Sequence, residues 1–451
     1  MKKILLLSAM FAVSACGAPE WESLFNGKDL EGWEEITGEA PYTVEDGCIV
    51  TKGIAGNVNS FLSPAGREFS DFILEFEFKM DEGFNSGVQF RGHLDTTGRV
   101  YGYQFEHCGD AERSWTGGIY DERRRGWLYK LTWNQEGRDA NHLGEWNKGR
   151  IEAVGNHLRT FVNGVLCSDI LDDADASGLI ALQSHAAYSK ENMIGLEARW
   201  RNIRICTKNP ARHMLKTDGS VHQHNWISNT LSERQKKEGW KLLWDGKTTE
   251  GWRSAKGDAF PEKGWHIADG ELVVESSDGA EARNGGDIIT LKQYRNFWIS
   301  VDFKLSQGAN SGIKYFVRPD LYSSEGSAIG CEFQLLDDRF HPDAKKGVEG
   351  NRTLASLYDL IRADKEQAWV KGGYFTQWNT AWVIVKDSHV EHWLNGVKVV
   401  EYERNTQDWN ALVAYSKYKN WENFGNHETG HILLQDHGDE VHFKNILIKE
   451  L

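Results

Sequence analysis

Along most of the chain, apolar and polar residues alternate one by one in short runs, most clearly in Phe72-Ile73-Leu74-Glu75-Phe76-Glu77-Phe78-Lys79 and Phe297-Trp298-Ile299-Ser300-Val301-Asp302-Phe303-Lys304. A period of two sends successive side chains to opposite faces of a strand, so each run predicts a strand with one buried face. Asn163-Gly164 and Asn395-Gly396, each flanked by alternating residues, predict two-residue hairpins. Helical periodicity is nearly absent. The stretch 230–239 predicts one short helix with a hydroxyl N-cap, a basic last turn and a glycine stop. Two runs carry polar residues on what would be one strand face: Glu332 with Gln334 in Gly330–Asp338, and Gln104 with Glu106 in Gly102–Asp110. Inside an apolar sandwich such a face meets water or lines a cleft, and a cleft is the expectation here.

These two runs belong to a repeat that extends through both halves. Leu24-Phe25-Asn26-Gly27-Lys28 through Gly32-Trp33 is echoed by Leu243-Trp244-Asp245-Gly246-Lys247 through Gly251-Trp252. Asn85-Ser86-Gly87 answers Asn310-Ser311-Gly312, and Gly118-Ile119-Tyr120-Asp121 answers Ser356-Leu357-Tyr358-Asp359. Each half closes on a similar strand, ending Leu182-Gln183-Ser184-His185 or Leu434-Gln435-Asp436-His437. Many short strands with hairpin signals imply all-β jelly-roll sandwiches, two in tandem. The predicted boundaries are an export signal and tether over 1–19, a first sandwich over 20–206, a linker with a short helix over 207–239 and a second sandwich over 240–451.

Composition narrows the function. A length of 451 residues exceeds one ordinary core. The net charge of -14, with no basic stripe, excludes a nucleic-acid partner. Nineteen tryptophans and 14 tyrosines supply flat apolar surfaces with a polar handle, which suit pyranose rings, although most are expected in cores and turns. Lys2, Lys3, the apolar run Ile4–Val13 and Val13-Ser14-Ala15-Cys16 read as an export signal ending in a motif that resembles a bacterial lipobox. Lipidation at Cys16 would hold the mature protein in the cell envelope, as a periplasmic or outer-membrane lipoprotein; the apolar run is too short to span a bilayer. The remaining cysteines, Cys48, Cys108, Cys167, Cys206 and Cys331, are odd in number and sit in apolar or alternating runs, so buried free thiols are expected.

Several chemistries lack their residues. The closely spaced carboxylates that a retaining glycosidase of this shape would need on one strand are missing. Asp173-x-Asp175 is not completed into a calcium loop and reads as an acidic turn. His213, His222 and His224 read as part of an exposed polar linker, and Arg123-Arg124-Arg125 as a solvated loop.

The ordered set Leu243-Trp244-Asp245-Gly246-Lys247, Asn310-Ser311-Gly312, Glu332-Phe333-Gln334-Leu335-Leu336-Asp337, Leu357-Tyr358-Asp359, Asn395-Gly396 and Leu434-Gln435-Asp436-His437 resembles the bacterial domain of unknown function 1080, also called the 3-keto-disaccharide hydrolase domain. The resemblance covers both halves and implies a concanavalin-like fold acting on oligosaccharides or glycosides oxidised at C3. The first half departs from the pattern where Gln104 replaces Glu and Ser184 replaces Asp, which favours the second half as the active one. A C3 ketone acidifies the C2 proton, so a base can form an enolate that expels the C1 oxygen. The expected roles are Glu332 or Asp338 as base, Lys314, Arg318 or a divalent metal at the C3 oxyanion, and His437 as acid or metal ligand. Gln334, Tyr358 and Asp359 are expected at the substrate. The first-half counterparts are Glu106, Asp110 and His185 for catalysis, with Arg91, Gln104, Tyr120 and Asp121 for binding. The alternative is a glycan-binding module that has kept the cleft and lost the chemistry.

Overall fold

The computed structural model describes residues 21–451 except 57, 189, 278–280, 282, 322–325, 367 and 369–377. Cys16 and the export signal lie outside the described residues. The protein is nearly all β. It divides into two compact units, one ending at Val221 apart from Ile170–Asp173, the other made of those four residues with His222–Leu451.

The first unit is a two-sheet sandwich. One sheet runs, in spatial order, Val165–Leu171, His157–Val162, Asn147–Val154, Phe72–Met80, Glu197–Cys206, Cys48–Lys52 and Tyr42–Glu45. The other runs Gly126–Tyr129, Ile119–Glu122, Val100–Cys108, Asn85–Leu94, Leu179–Ser184, Ser60–Pro64 and Trp33–Thr37. The predicted alternation is the burial pattern of Phe72–Met80. Its inward rings meet those of the facing sheet: Phe76 lies 5.4 Å from Phe105, and Phe78 stacks on His107 at 4.2 Å. Burial of this histidine pushes its pKa down to about 3, and the Trp200 indole donates to its Nε2 at 3.1 Å.

The second unit repeats the plan. Trp265–Ala268, Glu271–Val274, Val441–Glu450, Phe297–Leu305, Asn379–Lys386, His389–Leu394 and Val397–Glu403 form one sheet. Trp252–Ser254, Ile288–Tyr294, Gly430–Leu434, Asn310–Arg318 and Ile329–Leu336 form the other. Ile299, Val301 and Phe303 from the first sheet pack with Ile313, Tyr315, Phe333, Leu335 and Ile432 from the second in one core. Burying each such side chain contributes roughly 1.5–3 kcal/mol. The Asn-Gly steps turn as expected: Asn163 and Asn395 have φ of 51° and 50°, and Gly164 and Gly396 follow with 86° and 79°.

Three local expectations change. The stretch read as a linker is divided between the units, and within the second His224 is buried with its ring 4.5 Å from Trp226, so it is no exposed linker histidine. The helix is shorter than expected, Glu233–Lys237, and is started by a Ser232–Gln235 capping box. The arginine run is an ion-pair cluster in place of a solvated loop: Arg124 binds Asp121 and Asp175, Arg125 binds Asp121, and Arg123 binds Asp95. All five cysteines of the described residues are free and buried. No helix among them is long and apolar enough to cross a membrane.

Candidate active site

On the outer face of the second unit's five-stranded sheet lies a cavity of about 280 Å³. Its floor follows from strand register. Lys314 pairs with Glu332 and Gly312 with Gln334 across two antiparallel strands, so these side chains share one face while Ile313 and Phe333 go to the core. Gly312 leaves the Glu332 carboxylate its place: a Cβ would lie 2.3 Å from Glu332 Oε1 and push it aside. Ser311 Oγ donates to the Gln435 carbonyl at 2.8 Å and ties the neighbouring strand into place. The Asn-Ser-Gly motif thus supplies a cavity-lining amide, a strand tie and space for a carboxylate.

Glu332 is 5% exposed, with Lys314 Nζ 3.7 Å from its Oε2. Gln334, with its amide oriented to pair donors with acceptors, donates to Glu332 Oε1 at 3.1 Å and to the Ser311 carbonyl at 3.0 Å. Lys314 Nζ also donates to Ser327 Oγ and, at 3.2 Å, to the Ala328 carbonyl. Those two residues are held by the buried Asp287, whose Oδ2 accepts from Ser327 Oγ and from Ala328 N at 3.0 Å. Burial raises the Asp287 pKa, and the Lys314 charge opposes that rise. Asp436 extends the scaffold by accepting from Gly285 N at 3.1 Å, Gly286 N at 2.8 Å and Gly438 N at 3.0 Å.

The opposite wall comes from Tyr358, Lys417, Tyr418 and Trp421. Lys417 is exposed as a residue, yet its ammonium lies 4.1 Å over the Tyr358 ring. Desolvation lowers its pKa; the nearby Glu332 charge opposes this and Lys314 reinforces it. Tyr358 donates to Asp343 at 2.6 Å, and burial together with that carboxylate raises its pKa. Asp359 does not line the cavity: it binds Arg352 at 2.6 Å and accepts from Lys417 N at 2.9 Å, so it positions Lys417.

His437 and Gln435 complete the rim. His437 Nδ1 is buried with no hydrogen-bond partner, and Nε2 lies 3.9 Å from Glu281. With His341 and Asp439 it forms a group whose ligand atoms all fall within 4.8 Å of one another. Two imidazoles and a carboxylate suit a divalent transition metal. His341 Nδ1 already accepts from Asp343 N at 3.2 Å, which leaves Nε2 for a cation.

Two more expected residues fall elsewhere. Asp338 lies past the strand end, accepting from Leu354 N at 2.7 Å and pairing with Lys365. Arg318 pairs with Asp320 at 2.7 Å after a register shift between Tyr315 and Arg318, where Phe316 has φ 54°. Neither lines the cavity. The sequence reading in turn missed Lys417, Tyr418, Trp421, Asn310, Gln435 and Glu281. Asn310 and Gln435 stood inside the quoted motifs; Lys417, Tyr418 and Trp421 sit in a lysine-aromatic run, Tyr415–Trp421, that the repeat comparison did not pair.

In the first unit, Gln89 pairs with Gln104 and Gly87 with Glu106, so an amide pair stands where the second unit has Lys314 and Glu332. Glu106 accepts from Asn85 at 3.1 Å and Gln104 at 3.3 Å, with Arg113 at 3.5 Å, and burial raises its pKa to about 7. His185 is hydrogen-bonded to the Ala186 carbonyl at 2.7 Å. Asp110 is a turn residue accepting from Glu112 N and Arg113 N. Tyr120 pairs with Gln104 on the polar face, whereas Asp121 is buried under Arg124 and Arg125. Arg91, at φ 44° beside a bulge, turns to the Ser70, Gly155 and Asp175 carbonyls and Asp71. Arg91 and Asp121 therefore build structure away from the polar face.

A jelly-roll sandwich with a carboxylate, ammonium and amide cavity on one sheet defines the class of molecule. The chain belongs to the 3-keto-alpha-glucoside-1,2-lyase-like domain family, whose model matches residues 20–206 and 239–449. A 3-keto-disaccharide hydrolase of Bacteroides thetaiotaomicron is 38% identical over 235 residues, 48% of this chain and 79% of its own. A solved structure from Parabacteroides distasonis, described as a candidate glycosyl hydrolase, is 34% identical, covers 50% of this chain and 99% of its own, and has a TM-score of 0.42. A second from that organism is 24% identical, with 47% and 99% covered and a TM-score of 0.35.

Proposed function

We propose that the second unit cleaves 3-keto-glycosides by removing the C2 proton and expelling the C1 oxygen. The observation that carries this reading is the Glu332 carboxylate, buried at the cavity floor beside Lys314 with Lys417 in the opposite wall. Family membership and the 3-keto-disaccharide hydrolase relative support the substrate class.

Glu332 takes the proton from C2. The C–H electrons form the C2–C3 double bond, and charge moves to the C3 oxygen, where the Lys314 and Lys417 ammonium groups stabilise it. The enolate then collapses: the C3 carbonyl re-forms, a C1–C2 double bond forms, and the C1–O bond breaks. The departing oxygen takes a proton from a rim acid, the role given to His437, which lines the cavity. Water adding across C1–C2 converts elimination into net hydrolysis. In the alternative role for His437, as a ligand, it would hold a divalent cation with His341 and Asp439, and that cation would supply Lewis-acid polarisation of a sugar oxygen.

Incubating the protein with a 3-keto-glucoside and its unoxidised parent, and following aglycone release, tests the proposal. Release from the keto sugar alone is expected; equal release from both, or from neither, contradicts it. Export and anchoring through Cys16 are part of the same proposal, and Cys16→Ser is expected to move the protein from the membrane to the soluble envelope fraction.

A further inference from the structure

We propose that the first unit carries a second sugar site of different chemistry, one that holds a neutral, unoxidised glycoside and does not turn it over. The comparison is register by register. Where the second unit pairs Lys314 with Glu332, the first pairs Gln89 with Gln104, and Glu106 stands at the position of Gln334. Gln183 adjoins on the next strand, opposite Gly87, just as Gln435 follows the strand beside Gly312. The carboxylate and lysine to which C2 proton abstraction is assigned in the second unit are replaced here by amides at both positions, and the carboxylate of this face, Glu106, stands one pair further along with Arg113 3.5 Å away. Arg113, which reaches Glu106, is engaged by Cys108 Sγ at 3.2 Å and lies over the Trp115 ring at 5.5 Å.

The amides call for a ligand. Gln89 and Gln183 are fully buried and Gln104 is 2% exposed, yet both side-chain polar atoms of Gln89 and of Gln183, and Oε1 of Gln104, have no hydrogen-bond partner. Buried polar groups are nearly always satisfied, and unsatisfied ones clustered on one sheet face mark a place where something else supplies the bonds. An amide offers two donors and an acceptor without net charge, which matches sugar hydroxyls, each a donor and an acceptor. A carboxylate or phosphate ligand would meet Glu106 and Glu122 on the same face.

The rim adds an apolar platform. Tyr188 is 54% exposed and sits in left-handed backbone at φ 49°, a conformation a bulky residue rarely adopts. Its ring is 5.3 Å from His185, two residues along the chain from Gln183, and with Asn59 and Glu122 it lines a small pocket. An exposed aromatic ring at the edge of a polar face offers the flat apolar surface on which a pyranose stacks. This site stands apart from the reaction proposed for the second unit and does not depend on it.

The test is calorimetric titration of the full chain with sucrose, trehalose, maltose and cellobiose, with turnover of a 3-keto-glucoside measured on the same preparations. Saturable binding of at least one unoxidised disaccharide is expected. Gln183→Leu and Tyr188→Ala are each expected to weaken it at least tenfold while turnover is unchanged, and Glu332→Gln is expected to leave it unaltered. Tyr188 is exposed, so its variant tests the site without touching the core. Absence of saturable binding in the wild type, binding that survives Tyr188→Ala, or binding lost in Glu332→Gln would each overturn the proposal.

Discussion

At the scale of the residue, the account turns on buried charge. Glu332 is tolerated at 5% exposure because Lys314 and Gln334 face it. Glu332→Gln keeps the shape and removes the proposed base, so kcat is expected to fall by about 10²- to 10⁴-fold with KM little changed, measured in steady state. In the proposed reaction Lys417 stabilises the oxyanion only while protonated, and desolvation lowers its pKa. Turnover is therefore expected to decline with rising pH below the ordinary lysine range, and Lys417→Arg to remove that decline, because guanidinium stays charged. Glu106 gives a stability signature in the first unit. Burial raises its pKa from 4.5 to about 7, so between those values the folded chain binds more protons than the unfolded one. Its contribution is full below pH 4.5 and is lost as pH rises through about 7. Chemical denaturation between pH 5 and 8 is expected to show stability falling by at most about 3 kcal/mol from this group, and Glu106→Gln to flatten the slope.

At the scale of the element, strands deliver the site and bulges edit it. Gly312→Ala is expected to push Glu332 aside, since the added Cβ would lie 2.3 Å from its Oε1; kcat should drop while the fold, followed by circular dichroism, persists. Asp287→Ala would take away the acceptor of the Ser327 hydroxyl, Ala328 N and Asp436 N and loosen the segment that holds Lys314, with an expected destabilisation of about 1–3 kcal/mol and slower turnover. Alternation made Glu332 and Gln334 legible as one face, and Asn-Gly made the hairpins legible. The same alternation misplaced Arg318. Counting by twos from Lys314 puts it on the cavity side, but the bulge at Phe316 turns it to Asp320. Asp338 failed for a simpler reason: the strand ends at Leu336, and the carboxylate serves a turn. Lys417 comes from a short 3-10 turn, Lys417–Asn420, capped by Ser416, and no periodicity announces which side chains such a turn sends into a cavity.

At the scale of the whole molecule, the chain is one design used twice and altered once. The repeat was legible because each half preserves its turns and strand patterns: Ser86 and Ser311 both tie to the next strand, at 2.7 and 2.8 Å, and Gly87 and Gly312 both make room for a diagonal side chain on the facing strand, Gln104 and Glu332. The divergence was legible too, as Gln104 against Glu332 and Ser184 against Asp436. Its consequence required register, because only strand pairing reveals that Gln89 takes the place of Lys314. The division of labour we propose assigns the chemistry to the second unit. The most direct measurement is 3-keto-glucoside cleavage by the wild type, Glu332→Gln and Glu106→Gln proteins side by side. Loss of cleavage in Glu332→Gln with wild-type rates in Glu106→Gln is the predicted result; full activity in Glu332→Gln would contradict the account.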